Sequence, residues 1–303
     1  MDPFSQVIDL LKPQAVFWRV LEAHDAWTLG FRATNHVVLG QILEGSCRVE
    51  REDVGFDLEA GDFMMMVAPG SWTLSALGGG APVAFEAAVQ DPRLLLSPSP
   101  PAHIARFIAV SFTVAAANHD LISSLRLPIV QVRRNEAPAD RLGALLATLG
   151  DEALADRPGR TIVVDHLLEV ILVEALRYRA PEVGAGNRGL MAGLTDPQIG
   201  RALRILHADT RRPWTLVSLA REVGMSRAAL ASRFVQVVGI PPMEYLAQWR
   251  MSLAKGALAS AEAPLTEIAQ RAGYQSVSAF SAAFKRETGL SPTLYVRSLR
   301  EAI

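Results

Sequence analysis

Between Leu216 and Arg300 one apolar pattern occurs twice, so this part of the chain folds as a pair of like modules or not at all. Leu216, Leu219, Ala220, Gly224 and Met225 stand 49 positions before Leu265, Ile268, Ala269, Gly273 and Tyr274. One inserted residue then makes the offset 50, and Ser226, Ala229, Leu230, Phe234, Gly239, Pro242 and Tyr245 match Ser276, Ala279, Phe280, Phe284, Gly289, Pro292 and Tyr295. Two copies are too few for a solenoid, in which several stacked repeats must cover one another's apolar faces. Two paired modules remain.

Each copy opens with apolar residues at helical spacing, Leu216, Leu219, Ala220 and Val223 in the first and Leu265, Ile268, Ala269 and Ala272 in the second. Gly224 and Gly273 then stop the helix, because glycine enters the left-handed conformation at little cost. Ser226 and Ser276 stand where a second helix begins, each with a hydroxyl to cap free backbone N–H groups. The unit reads helix, turn, helix. In such a unit the second helix enters the major groove of a duplex with its N-terminal residues toward the base edges. We expect Ala229, Leu230 and Phe234 to pack in the first unit and Ala279, Phe280, Ala283 and Phe284 in the second. That leaves Ser226, Arg227, Ser232 and Arg233, and Gln275, Ser276, Ser278, Ser281, Lys285 and Arg286, as candidate contacts to phosphates and bases.

The run Gly273-Tyr274-Gln275-Ser276, then Ala279-Phe280-Ser281, Phe284-Lys285-Arg286 and Gly289-Leu290-Ser291-Pro292 with Tyr295, closely resembles the DNA-binding domain of the AraC/XylS family of transcriptional regulators. The match covers about a third of the chain. The resemblance implies a linker helix, here about Met243 to Ala259, joining two reading helices on double-stranded promoter DNA. It also implies a homodimer, a small-molecule effector and activation through RNA polymerase. Ala282 stands where the family often carries arginine, so one base contact of the second reader is missing.

Charge separates the two ends of the chain. After Gly200 there are 14 Lys or Arg and 7 Asp or Glu, whereas the preceding residues hold 16 and 24. A basic end and an acidic remainder fit a protein that meets phosphates with one part only. With 303 residues, half of them apolar, the chain can build two cores. The start, Met1-Asp2-Pro3-Phe4-Ser5, has neither a basic region nor a long apolar run, so no signal and no membrane span is expected, and a cytoplasmic location is the default. The single Cys47 excludes an intramolecular disulfide and a zinc-binding cysteine cluster.

Phe4, Val7, Ile8 and Leu11 predict one short amphipathic helix, ended by Pro13 and expected to lie across a sheet. From Ala15 to Phe112, short runs rich in Val, Phe, Trp and Ile predict strands at 15–20, 27–32, 36–43, 46–52, 62–68, 71–76 and 106–112. Glu44-Gly45 reads as a hairpin turn. The Gly61-Asp62 and Pro69-Gly70 pair around one strand, with 36–49 before it, resembles the two halves of a cupin barrel of the sensor type found in one branch of AraC-like regulators. Cupin enzymes converge several N and O ligands on a metal. This stretch has no His-x-His, and Trp72-Thr73 stand where a histidine is often found, so neither a metal nor a cofactor is expected. Alternation turns Cys47 and Val49 inward, which could bring His36 near the thiol. A His/Cys pair could bind metal or sense oxidants, although a lone buried cysteine is more often inert packing. Trp27, Phe31, His36, Cys47, Met64, Met66 and Trp72 are the candidate pocket residues, with Met65 sharing that apolar run.

Leu142, Leu145, Leu146 and Leu149 predict a helix over about 138–155, and Val164, Leu167, Leu168, Ile171, Leu172 and Leu176 another over 161–178. The second is apolar broadly enough to pack inside its domain or to be shared with a partner. Glycines at 184, 186, 189 and 193 mark a joint. Thr195-Asp196-Pro197 then starts a helix with a capping side chain before a first-turn proline.

The expected architecture is α+β in two domains. Residues 1–180 form a cupin-like β-barrel with accessory helices, 181–194 a linker, and 195–303 an all-α domain of two helix-turn-helix units. The expected function is a transcriptional regulator responding to a small molecule or stress signal, with no catalysis. Two alternatives stay open: a metal-dependent cupin enzyme carrying a DNA-binding tail, and a constitutive DNA-binding protein whose β domain only dimerises. A repair methyltransferase fits less well, since Cys47 lies in a strand-like stretch without the motif of a reactive cysteine.

Overall fold

The computed structural model describes residues 2–34, 36–52, 54–67, 70–114, 129–155, 157–179, 188–261 and 263–301. They form two compact units: one spans Pro13–Val114 and continues to Arg179, and the other joins Met1–Lys12 to the C-terminal part of the chain.

The first unit is a pair of five-stranded sheets. Strands β1 (Gln14–His24), β2 (Thr28–Phe31), β3 (Val37–Glu44), β4 (Ser46–Arg51), β5 (Val54–Glu59), β6 (Phe63–Val67), β7 (Trp72–Ser75), β8 (Pro82–Ala84), β9 (Ile104–Thr113) and β10 (Val130–Val132) divide between them. One sheet runs β1-β9-β3-β6-β10 and the other β5-β4-β7-β2-β8. Leu21, Ile42, Met64, Met66 and Phe107 from the first sheet pack with Leu29, Cys47, Val49, Leu58, Trp72 and Leu74 from the second. This is the core between the two sheets of a β-rich unit.

Strand β6 shows why the sequence reads as a continuous apolar run. Met64 and Met66 belong to the inter-sheet core, whereas Phe63 and Met65 are fully buried outside that cluster, as successive strand residues must be. Two helices, α3 (Pro138–Leu154) and α4 (Arg160–Arg179), accompany that sheet: α3 packs on β1 and β6, and α4 on β1.

The Glu44-Gly45 corner differs from expectation. Strand β3 pairs with β6 and β9, and β4 with β5 and β7, so the corner carries the chain from one sheet to the other and is no hairpin. Gly45 has φ +76°, and a Cβ there would lie 2.2 Å from the Ile104 carbonyl oxygen, so only glycine fits. Strands β5, β8 and β10 and the helix α2 (Phe85–Gln90) were not expected. Strand β8 pairs in parallel with β2 over three residues, too short for a period-two pattern to stand out.

In the second unit, α1 (Pro3–Leu11) packs against α5 (Leu190–Thr195), α6 (Pro197–Ala208) and α9 (Pro242–Ala259), burying Val7, Ile8 and Leu11. It does not lie across a sheet as the sequence led us to expect, and residues 1–12 group with the C-terminal part. The expected linker also needs correction. Residues 181–187 lie outside the described residues, but 190–195 are helical, with Leu190, Ala192 and Gly193 buried. Asp196 caps α6 as expected, accepting hydrogen bonds from the Gln198 and Ile199 amides.

Two helix pairs follow, α7 (Leu216–Val223) with α8 (Arg227–Val238), and α10 (Leu265–Arg271) with α11 (Val277–Thr288), before α12 (Pro292–Glu301). Helix α9 runs between the pairs. Its Met251, Ala254 and Leu258 join Ile268, Ala269, Phe280 and Phe284 in the core of the second pair.

Candidate functional site

The turns of both helix pairs are built as their spacing requires. Gly224 and Gly273 are left-handed at φ +72° and +80°. Thr215 and Ser218 form a reciprocal capping box at the start of α7, which fixes two of its otherwise free amides. Ser226 Oγ accepts from the Ala229 amide at 3.2 Å, and Ser276 Oγ from Ala279 at 3.1 Å. Both hydroxyls keep their own proton to donate outward.

Leu230 and Phe234 anchor α8, and Phe280, Ala283 and Phe284 anchor α11. Ala229 and Ala279, expected to pack, are exposed, because each sits in the first turn one residue before its anchor. Ser226, Arg227, Ser232, Gln275, Ser276, Ser278, Lys285 and Arg286 are exposed, and Ser281 is half-buried.

Ion pairing divides the cations of this surface into two groups. Arg233 Nε and Nη2 donate to Asp196 Oδ2 at 3.0 and 2.8 Å, tying α8 to the start of α6. Burial alone would raise the Asp196 carboxyl, but hydrogen bonds from Ile199, Arg233 and Gln198 outweigh it and hold the group below its ordinary value. Arg233 is therefore tied to Asp196 within the fold, with its side chain still 47% exposed. Arg212 with Glu222 and Arg271 with Glu267 are paired as well. Among the described residues no carboxylate pairs with Arg227, Lys285 or Arg286, so these three present uncompensated charge. Residue 282 is an exposed alanine.

Arg250 on α9 is a linking residue that the sequence reading missed. Its Nε donates to the Thr210 carbonyl at 2.7 Å and its Nη2 to the Arg212 carbonyl at 2.8 Å, both in the loop before α7. A Cβ on Gly273 would lie 2.8 Å from its Cζ. One guanidinium thus touches the loop that leads into the first helix pair and the turn inside the second.

A cavity of about 400 Å³ opens in the β unit. Strand register assembles its lining. Ser111 on β9 stands opposite both Phe17 on β1 and Val38 on β3, forming one row across the sheet. His36 lies two residues before Val38, and its Nδ1 reaches Ser111 Oγ at 2.9 Å. From the other sheet, Phe31 and Trp72 are a direct cross-strand pair with parallel rings 3.7 Å apart.

Of the candidate pocket residues, Phe31, His36, Met64 and Trp72 line this cavity, whereas Trp27, Met66 and Cys47 are not among its lining. Trp27 stacks on Phe107 in the inter-sheet core, and Met66 and Cys47 are buried in the same cluster. Burial, with Asp57 and Asp62 adding to it, pushes the Cys47 thiol up to about 12. A sensing thiol needs the opposite shift, and the hydrogen bond that His36 Nδ1 makes is with Ser111. Phe85 and Ser111 escaped the sequence reading: the first lies on the unexpected α2, and the second became legible only through its register.

Among the described residues, no group of three or more His, Cys, Asp or Glu side chains is placed to hold a metal ion, and no helix is long and apolar enough to cross a membrane.

Family models match along most of the chain, a cupin model over residues 2–180 and a helix-turn-helix domain model over 219–298. A putative AraC-like transcription regulator of Streptomyces lividans is 33% identical over 97% of this chain and 98% of its own length. A second, of Streptomyces antibioticus, is 32% identical over 97% and 98%. The HTH-type transcriptional regulator AlkR of Acinetobacter baylyi is 35% identical over 51% of this chain and 50% of its own.

Proposed function

The chain belongs to the AraC-like transcription regulators that carry an N-terminal cupin domain, and from that premise we propose how it works: two reading helices bind promoter DNA, and the β unit takes a small molecule that changes their affinity. The observation that carries the DNA reading is the doubled helix-turn-helix, each copy opening its second helix with a capping serine and exposed polar side chains. We assign Ser226, Arg227 and Ser232 in the first unit, and Gln275, Ser276, Ser278, Ser281, Lys285 and Arg286 in the second, to bases and phosphates.

The cavity is what makes the protein ligand-responsive in this reading. An effector shifts DNA affinity only as far as it binds the two states of the protein unequally. The protein acts as an activator through RNA polymerase, in the cytoplasm, without catalysis of its own. Its dimer contact lies on α4, where Ile162, Val163 and Val170 leave apolar surface in solvent beside the packed face of Leu168, Ile171 and Leu172.

Capture of genomic fragments on the full-length protein, at several stated salt concentrations, tests this. Enrichment of promoter regions sharing half-sites about one helical turn apart is expected, with affinity falling steeply as salt rises. Retention of fragments without common sequence at every salt concentration overturns the specific-regulator reading.

A further inference from the structure

The buried residues of α8 are Leu230, Phe234 and Val238, one in each turn, with Ala231 and Val237 half-buried on either side. One fully buried row seats a helix on its core but resists rotation about the helix axis weakly, because no second row of side chains opposes the turn. The second unit is built differently. In α11, Ala283 is buried beside Phe280 and Phe284, so two neighbouring rows are packed. At the repeat offset of 50, the place of Ala283 falls to Arg233 in α8. One copy fills that place with a packed methyl group and the other with a guanidinium.

That guanidinium lies about 100° around the helix from Phe234, and it is held. Its Nε and Nη2 both donate to Asp196 Oδ2, at 3.0 and 2.8 Å. A planar group gripped by two donors is fixed in direction as well as in distance. Asp196 is anchored in turn, since its Oδ1 accepts from the Gln198 and Ile199 amides and its side chain is only 11% exposed. A carboxylate locked onto the first turn of α6 does not follow a rotation of α8. The pair is therefore a stop set to one side of the buried row.

We propose that Asp196 is a positioning residue for the first reader. Through Arg233 it sets the rotation of α8 about its axis, and with it how Arg227 and Ser232 meet the duplex, while neither member of the pair meets DNA itself. This rests on the reading above that α8 enters the major groove.

Selection from a random-sequence duplex library by the full-length protein tests the assignment, followed by affinity measurements on the most enriched duplex and a scrambled one over a salt series. The wild type should select two half-sites. Asp196→Asn keeps an oxygen to cap α6 and removes the charge that holds Arg233. It should blunt base preference in one half-site only and lower the ratio of selected to scrambled affinity about five-fold, an ordinary coupling for residues in one network. Arg233→Met should do the same with the salt slope unchanged, and the double variant should lose no more than either single one. A salt slope lower by about one unit in Arg233→Met puts that side chain on a phosphate and overturns the proposal. So do losses that add in the double variant, or blunting of both half-sites alike, which is what a general loosening of the unit produces. A wild type that selects no sequence strikes the reader itself, whereas a wild type that selects while both single variants select equally well strikes only the positioning role.

Discussion

Three side chains with unlike partners show how much a single residue decides here. Arg227 opens α8 exposed and without a carboxylate, so Arg227→Ala should weaken operator binding by about 1–3 kcal/mol and relax base preference at one position if it reads a base. Competition binding against single-base operator variants checks this, and unchanged affinity would take Arg227 off the contact surface. Lys285 sits near the end of α11, where a phosphate contact is the expected role. Lys285→Ala should weaken binding to all sequences alike and lower the salt slope by about one unit. An unaltered slope counts against that contact. His207 is decided by burial instead. It stacks on Trp249 and meets Tyr245 Oη at 2.7 Å and Gln6 Oε1 at 3.1 Å. Burial drives it down to about 4, with Asp2 acting in the opposite sense, and burial raises the Tyr245 hydroxyl, which stays protonated and donates. The unfolded chain binds a proton near pH 6.5, the folded one only near 4, so the neutral ring stabilises the fold fully above pH 6.5. That contribution, on the order of 3 kcal/mol, is lost as pH falls from 6.5 toward 4. Denaturant unfolding at stepped pH should show the slope in the wild type and lose most of it in His207→Gln.

Elements, rather than residues, were what the sequence disclosed best, and the reason differs by element. The paired helices were legible because three independent signals coincide in each copy: helical spacing of apolar residues, a glycine at φ above +70° and a capping serine. The sheet was legible in outline but not in connection. Nothing local distinguishes a Glu44-Gly45 hairpin from a corner between sheets, since the difference lies in whether β4 finds β3 or β7 as its neighbour. The cavity was half legible for the same reason: Phe31, His36, Met64 and Trp72 could be chosen as bulky or polar inward candidates, but Cys47 alternates inward with equal right and ends in solid core. Arg250 carried no signal, because its role depends on two carbonyls 38 and 40 positions earlier in the chain. That role predicts an effect at the scale of elements. Arg250→Met keeps the stem and removes the donors, leaving the Thr210 and Arg212 carbonyls without this partner and the α9 link to Gly273 loosened. Operators whose half-sites differ in spacing by one base pair should then be bound more equally than by the wild type. Retained discrimination between spacings would show that the packing of α9 alone fixes the two readers.

At the scale of the whole molecule, the chain crosses between its two units more often than a bead-on-string regulator would. Helix α1 precedes the sheets in the chain, yet it packs into the core built from Leu190 onward, and only Lys12 and Pro13 separate it from β1. Lys12 takes the left-handed conformation at φ 43°, ending α1 abruptly. Val7 and Leu11 are fully buried and Ile8 nearly so, and burying each such side chain is worth about 1.5–3 kcal/mol. Gln6 adds its acceptor to His207. The C-terminal unit therefore depends for its stability on a helix encoded before the sheets, and Phe17, a few residues beyond that helix on β1, stands in the wall of the cavity. Removal of residues 1–12 from the full chain should lower the unfolding temperature of the DNA-binding unit, followed by the fluorescence of Trp214 and Trp249 with the tryptophans of the β unit replaced. The β unit, a compact unit of its own, should keep its own transition. Leu11→Asp should reproduce the first effect with the chain otherwise intact. If both variants unfold at the wild-type temperature, α1 rests on a core that is already complete, and the dependence of the C-terminal unit on this leading segment falls with it.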